Sequence, residues 1–179
     1  MIENAPEPSI PITITWLEMT EQPNRQPPPP PAVPHAVMRA EKPTVHFSRY
    51  LYDTIGARWT WSNRRWMSDE ELGRIVQDPA VETFVLYVRG VPAGYAELDF
   101  RALPSVADLA YFGLMPDFIG MKLGPWFLNW AISELWSRGP DKVTVNTCTA
   151  DHPSALPMYQ RHGFTPVRRE ESLLRPMPE

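Results

Sequence analysis

The sequence contains little of what marks a secreted, membrane or nucleic-acid-binding protein. It has a single cysteine, Cys148, among 179 residues, which excludes an intrachain disulfide. It has no run of lysine or arginine, and 17 basic against 21 acidic side chains give a net charge of −4, which disfavours a nucleic-acid partner. The opening MIENAPEPSI lacks the basic start and apolar core of a signal peptide. We therefore expect a cytoplasmic protein with no membrane partner.

Proline is the one residue type in excess. The chain has 22 prolines, clustered at Pro23, Pro27 to Pro31 and Pro34. This composition is typical of an extended loop. We expect residues 1–35 to form an N-terminal strand plus a proline-rich loop, and residues 36–179 to form the main domain. The loop is interpreted as a solvated hairpin connection between two strands, with a docking site for a proline-binding domain as the alternative.

The order of predicted elements indicates the fold class. Period-two alternation predicts strands in ITITWLEM and HAVMRAEK, and a helix is expected between Val45 and Trp66. An N-cap serine begins the helix SDEELGRIVQD. Three strands follow as a meander, then a long apolar helix, the strand KVTVNTCT, a short helix in HPSALPMYQRHG and a last strand near FTPVRREE. We expect a single domain with an α/β (α+β mixed) sheet.

The stretch IGMKLGPWFLNW is a candidate phosphate site. Gly120 and Gly124 stand in a turn between a strand and the apolar helix, and Pro125 falls in the first helical turn, where its missing N–H costs little. Such a turn leaves backbone amides free at the positive end of the helix dipole. An ordinary helix start is the alternative interpretation of these residues.

Two segments together resemble the GNAT superfamily of N-acetyltransferases. LAYFGLMPDFIGMKLGPWFL is similar to the family's strand, turn and helix. NTCTADHPSALPMYQRHGF resembles its second motif, with Ala155, Tyr159 and Gly163-Phe164 at the expected spacing. The sequence departs from the family at Ile119, where arginine or glutamine is usual, and at Lys122, where glycine is usual.

The resemblance implies a GNAT-type acyl-CoA N-acyltransferase fold and acetyl-CoA as the acyl donor. The acceptor would be an amine on a small molecule or a protein. Separately from the resemblance, an exposed edge of the late strands could pair with a second copy to form a homodimer. No metal is implied. The residues expected to contact the cofactor are Phe112, Gly113, Leu114, Gly120, Met121, Lys122, Leu123, Gly124 and His152.

Catalytic roles are assigned to three side chains. By the resemblance, Tyr159 would protonate the leaving sulfur; a core aromatic is the alternative. Glu97 is our first candidate for the general base and Asp108 the second, although each could be an exposed strand carboxylate. The fold could also have become a catalytically silent CoA-binding or sensing module.

Aromatic residues and prolines near these motifs yield further expectations. Trp59, Trp61 and Trp66 would either fill the core or wall the acceptor site. Pro157 predicts a helix that begins near Ala155, because a proline at the third helical position loses no hydrogen bond. Cys148 is interpreted as a small buried hydrophobe, with a nucleophile as the alternative.

Overall fold

The computed structural model describes residues 9–176; most of the MIENAPEPSI segment and the first part of the predicted 1–35 unit lie outside them. The elements run in the order β1 (Ile10–Met19), β2 (His35–Ala40), α1 (Val45–Gly56), α2 (Asp69–Val76), β3 (Val81–Val88), β4 (Val91–Asp99), β5 (Val106–Leu114), α3 (Leu123–Trp136), β6 (Lys142–Cys148), α4 (Ala155–Arg161) and β7 (Thr165–Leu174). Short 3₁₀ turns span Ala57–Trp59, Asn63–Trp66 and Pro116–Phe118.

A seven-stranded mixed sheet organises the molecule, which confirms the predicted fold class. The strand order is β2-β3-β4-β5-β6-β1-β7. Strands β5 and β6 are parallel, and every other neighbouring pair is antiparallel. The predicted meander of β3, β4 and β5 is present. Its first turn places Arg89 and Gly90 at positive φ, as a two-residue hairpin requires.

The expected hairpin of β1 and β2 is wrong. Strand β2 is an edge strand that pairs with β3, whereas β1 lies between β6 and β7 on the other side of the sheet. Alternating side chains show that both segments are strands, but they do not show which strands are neighbours. The described part of residues 1–35 therefore supplies an internal strand of the same sheet.

The proline-rich segment between β1 and β2 crosses the outside of the helices. Pro23 lies near Gly163, just after α4, and Arg25 donates a hydrogen bond to the Arg161 carbonyl. Farther along, Val33 packs against the main core, and the His35 ring stands edge-on to Trp126 of α3 with ring centroids 4.8 Å apart. The segment is therefore a crossover that leads from β1, next to the β7 edge of the sheet, to β2 at the opposite edge.

Helices cover both faces of the sheet. The larger core lies on the α3 side and includes Leu17, Leu98, Phe127 and Leu128, none of which is exposed. On the other side, α1 packs through Leu51 and Ile55. The buried residues of α3 lie on one half of the helix, and Trp126, Trp130 and Trp136 are partly buried against the same core.

Local signals place the helix starts. Ser68 and Glu71 form a capping box at α2, and the Thr44 hydroxyl accepts a hydrogen bond from the Phe47 amide at α1. Helix α4 begins at Ala155, which confirms that prediction. No helix within residues 9–176 is long and apolar enough to cross a membrane.

Candidate functional site

The site is created where two parallel strands separate. Strands β5 and β6 pair only from Val106 and Lys142 to Leu109 and Val145. Beyond that point β5 remains paired with β4 while β6 pairs with β1, so a gap opens between them. Alternate backbone groups on the free edge of β5 consequently face this gap.

A β-bulge accompanies the separation. The register between β4 and β5 shifts at Ala110, which is inserted between Leu109 and Tyr111. A glycine inside a strand, such as Gly113, is typical of a bulge or of a close backbone approach. The bulge is at Ala110 instead, and Gly113 lacks a side chain because a Cβ there would collide with the Cγ2 methyl of Ile55 in α1.

A cavity of about 630 Å³ occupies the gap and reaches both faces of the sheet. On the α3 side its wall includes Leu123, Gly124 and Tyr159. On the α1 side its wall is largely aromatic and includes Trp61 and Tyr111. The cavity therefore extends from the start of α3 through the gap to a largely apolar region on the α1 side.

The start of α3 presents free backbone donors to this cavity. Gly120 has φ 89° and Lys122, the N-cap, has φ 59°, and the cap makes no side-chain hydrogen bond. Within residues 9–176, the amides of residues 121–124 have no acceptor. Pro125 is the third helical residue, so it removes an N–H that the helix could not use. These donors and the helix dipole favour an anion here.

Tyr159 of α4 also lies in the cavity wall, on the same side of the sheet as α3. It is 6% exposed, and its ring meets Phe164 edge-on. Burial raises the pKa of the Tyr159 hydroxyl above its ordinary value, and the charges of Asp151 and Asp108 raise it further. The hydroxyl is therefore a proton donor throughout the neutral range.

Glu97 lies behind the cavity wall. Its carboxylate forms a bidentate ion pair with Arg64, and both side chains are almost fully buried. The Arg64 guanidinium also lies 4.4 Å from the Tyr111 ring centroid. Since Arg64 occupies both carboxylate oxygens and Glu97 does not line the cavity, this placement does not favour Glu97 as the base.

Asp108 also lies outside the cavity wall, directly below the point where β5 and β6 separate. Burial raises the pKa of Asp108 from 3.8 to about 6, against a 2.5 Å hydrogen bond from the Thr144 hydroxyl that lowers it. The nearby Asp99 and Glu97 raise it further. Within residues 9–176, Asp108 therefore has no cationic partner, and its affinity for a proton is increased.

Asp151, which sequence reasoning missed, organises the far end of the cavity. It accepts hydrogen bonds from Trp61 Nε1 at 3.0 Å, Thr147 Oγ1 at 2.7 Å and the Cys148 amide at 2.9 Å. Its position shortly after the end of β6 was the signal in the sequence that could have identified Asp151 as a site residue. Burial and the charge of Asp151 raise the pKa of the Cys148 thiol, which disfavours a nucleophilic cysteine.

His152 joins α4 to the aromatic wall. Its Nδ1 accepts a hydrogen bond from the Ser154 amide at 3.0 Å, and its ring stands edge-on to Trp59 at 4.7 Å. It thus stabilises the turn before α4 and also lines the cavity. Within residues 9–176, no cluster of three or more His, Cys, Asp or Glu side chains could hold a metal ion.

The cavity collects most of the residues that the sequence singled out. Trp59 and Trp61 line it, whereas Trp66, 39% exposed, does not. Met121, Glu97 and Asp108 also lie outside it. The predicted site residues that do line it are Phe112, Gly113, Leu114, Gly120, Lys122, Leu123, Gly124, His152 and Tyr159.

A comparison with family sequence models identifies one family. Residues 46–164 match the sequence model of the Acetyltransferase (GNAT) family. No curated protein sequence is significantly similar to this chain.

Solved structures share the fold at low sequence identity. A putative GNAT acetyltransferase from Novosphingobium aromaticivorans has a TM-score of 0.57 and 17% identity, over 94% of this chain and 67% of its own. The ribosomal-protein-S18-alanine N-acetyltransferase of Escherichia coli has a TM-score of 0.60 and 20% identity, over 75% of this chain and 79% of its own. A GCN5-related N-acetyltransferase from Sphaerobacter thermophilus has a TM-score of 0.63 and 14% identity, over 96% of this chain and 55% of its own.

Proposed function

The chain belongs to the GNAT acetyltransferase family, and we propose that it transfers an acetyl group from acetyl-CoA to a primary amine by direct attack in a ternary complex. One observation carries this proposal: a single cavity, between separated parallel strands, joins free helix-start amides to a protonated tyrosine. The two substrates would enter it from opposite faces of the sheet.

The residues at the start of α3 suit the diphosphate of acetyl-CoA. The free amides of residues 121–124 supply donors, and Lys122 adds a positive charge where its side chain lines the cavity. Ile119 contributes no charge, so the backbone and Lys122 would provide the contact. The open edge of β5 at residues 112–114 offers a track from the turn into the gap. When bound there, acetyl-CoA supplies the activated acyl group.

Tyr159 is assigned the role of general acid. Its raised pKa keeps the phenol protonated, and it lies at the cavity wall with no hydrogen-bond partner recorded among the described residues. It would donate its proton to the departing sulfur. Backbone N–H groups on the free edge of β5 would stabilise the negative charge that develops on the carbonyl oxygen.

Asp108 is the better of the two proposed bases. It has a raised pKa and no cationic partner in the described part of the chain, whereas the charge of Glu97 is balanced by Arg64. Asp108 lies next to Leu109, which lines the cavity, and its partner Thr144 is two residues before Asn146, which also lines it. We assign the proton transfer from the amine to Asp108 through water.

The test compares Tyr159→Phe with Tyr50→Phe, an exposed tyrosine outside the cavity. Thiol release from acetyl-CoA is measured with a panel of amines, and CoA binding by titration calorimetry. Tyr159→Phe should lower thiol release about 100-fold or more and leave CoA binding unchanged, while Tyr50→Phe changes neither. CoA binding without thiol release from any amine would instead support a silent CoA-binding or sensing module. No CoA binding would remove the basis of the assignment.

A further inference from the structure

The chamber on the α1 side of the sheet has apolar walls from remote parts of the chain. We call this chamber the acceptor half, because the free amides lie at the other end of the cavity. Its wall combines side chains of β1, β5, the 57–62 segment and the end of β7, namely Ile14, Trp16, Trp59, Trp61, Tyr111 and Leu174. Most of these side chains offer hydrocarbon or ring surface to a bound molecule.

The acceptor half has very little negative charge. Among the described residues that line the cavity, Asp151 is the one acidic residue, and it already accepts three hydrogen bonds from the protein. Glu97 lies behind the wall with its charge balanced by Arg64. Asp108 is likewise outside the wall. The lining could thus balance one ammonium group, and a second or third buried ammonium would have no counter-charge.

We propose that the acceptor is a small monoamine with an aromatic or branched apolar body. This inference rests on the proposed acetyl transfer and specifies its substrate. The apolar body would pack on Trp61 and Tyr111, and the amine would point through the gap toward the bound acetyl group. The nitrogen–carbon bond forms as the carbon–sulfur bond breaks; one proton leaves the nitrogen and one reaches the sulfur.

A competition among amine classes tests the substrate. The full chain is given acetyl-CoA with 2-phenylethylamine, 3-methylbutylamine, spermidine, kanamycin or an alanyl peptide amide, and thiol release is followed. The two apolar monoamines should show kcat/KM values about tenfold or more above the others, because burial of their bodies favours binding and unpaired charges oppose it. Higher kcat/KM for spermidine, kanamycin or the peptide would overturn this inference and leave acetyl transfer intact. No thiol release with any of these amines would count against both the monoamine inference and the proposed acetyl transfer.

A charge placed in the wall provides the sharper test. Ile14→Asp adds a carboxylate to the acceptor half, whereas Ile10→Asp adds one on the same strand at an exposed position outside the cavity. Ile14→Asp should lower kcat/KM for 2-phenylethylamine about tenfold and raise the ratio of spermidine to phenylethylamine turnover. Ile10→Asp should leave both unchanged.

A less disruptive variant keeps the test possible if Ile14→Asp does not fold. Ile14→Thr keeps a β-branched side chain and replaces the ethyl group of isoleucine with a hydroxyl. If Ile14→Asp does not fold, Ile14→Thr should still lower kcat/KM for 2-phenylethylamine more than for spermidine. Equal effects of Ile14→Thr on the two amines would overturn the proposal.

Discussion

The ion pair between Arg64 and Glu97 shows how a carboxylate near a site can be structural. Each side chain is almost fully buried, so either charge alone would be costly. Such pairs contribute little net stability, but removal of one partner leaves an uncompensated buried charge. The pair also fixes Arg64 against the Tyr111 ring, which lines the cavity.

We predict that Glu97→Gln destabilises the fold by about 3–5 kcal/mol, since Arg64 would lose its counter-charge. Urea unfolding of the variant measures the change. The matched control is Glu70→Gln, which breaks an exposed ion pair with Arg74 and should alter stability little. A stable Glu97→Gln protein with about 100-fold slower thiol release would contradict the structural role and restore Glu97 as a base.

We predict that Asp108→Asn stabilises the protein at pH 7.5. Because the folded pKa of Asp108 is raised from 3.8 to about 6, the folded state binds this proton more tightly than the unfolded state. Stability is therefore lost as pH rises from about 4 to about 6. The variant avoids that loss and should gain about 1–3 kcal/mol at pH 7.5, with little change at pH 4.

Activity provides a second measurement on Asp108→Asn. If Asp108 accepts the proton, kcat/KM should fall about 100-fold, and the native enzyme should lose activity as pH falls through about 6. Thermal unfolding at both pH values and a pH–rate profile give the result. Equal stability changes at pH 4 and pH 7.5 would show that the pKa of Asp108 is not raised.

Residue-level chemistry was only partly predictable from the sequence. Tyr159 and the turn at Gly120 belong to recognisable sequence motifs, so we could expect both to line the same cavity. Glu97 could not be distinguished from a catalytic acid, because its partner Arg64 is 33 positions away and carries no sequence signal. Alternation shows which strand face a carboxylate occupies and leaves open what covers that face.

At the scale of elements, the turn before α3 combines strain with charge. Lys122 has φ 59°, a left-handed conformation that glycine adopts at lower cost. Lysine at this position therefore costs conformational energy while placing a cation beside the free amides. Such a compromise is expected where a charge contributes to binding.

We predict that Lys122→Gly stabilises the fold by about 0.5–1 kcal/mol yet weakens CoA binding several-fold. Lys42→Gly is the control, because Lys42 also has positive φ, at 47°, and lies outside the cavity. Both variants should unfold at a higher temperature. In titration calorimetry, only Lys122→Gly should bind CoA more weakly, and its CoA affinity should depend less on salt concentration. Unchanged affinity in Lys122→Gly would leave the backbone amides as the phosphate contact.

Element types were easier to predict than their arrangement. The capping residues of α2 and the proline of α4 gave helix starts that the structure confirms. The position of β1 was mispredicted, because consecutive strands are usually neighbours in a sheet and nothing in the 20–34 connection indicates a crossover over α3 and α4. Only the pairing of β1 with β6 and β7 reveals that it supplies a wall of the site.

At the scale of the whole molecule, the acceptor half is closed by chain segments more than 100 residues apart. The Ser62 hydroxyl donates a hydrogen bond to the Arg175 carbonyl, and Trp66 Nε1 donates one to the Pro176 carbonyl at 3.0 Å. The Arg175 guanidinium lies 3.2 Å from the Trp66 ring centroid. These contacts tie the end of β7 to the 3₁₀ turn that follows the aromatic wall.

We predict that Arg175→Ala loosens this closure and raises KM for the amine about threefold to tenfold, since a cation–π contact of this kind contributes about 1 kcal/mol. CoA affinity should not change, because α3 is remote from the contact. Arg169→Ala, on β7 rather than just after it and likewise outside the cavity lining, is the matched control and should leave both constants unaltered. Steady-state kinetics with calorimetry separates the two. A loss of CoA affinity equal to the rise in KM would instead indicate that the end of β7 supports the whole sheet, because both halves of the cavity would then depend on it.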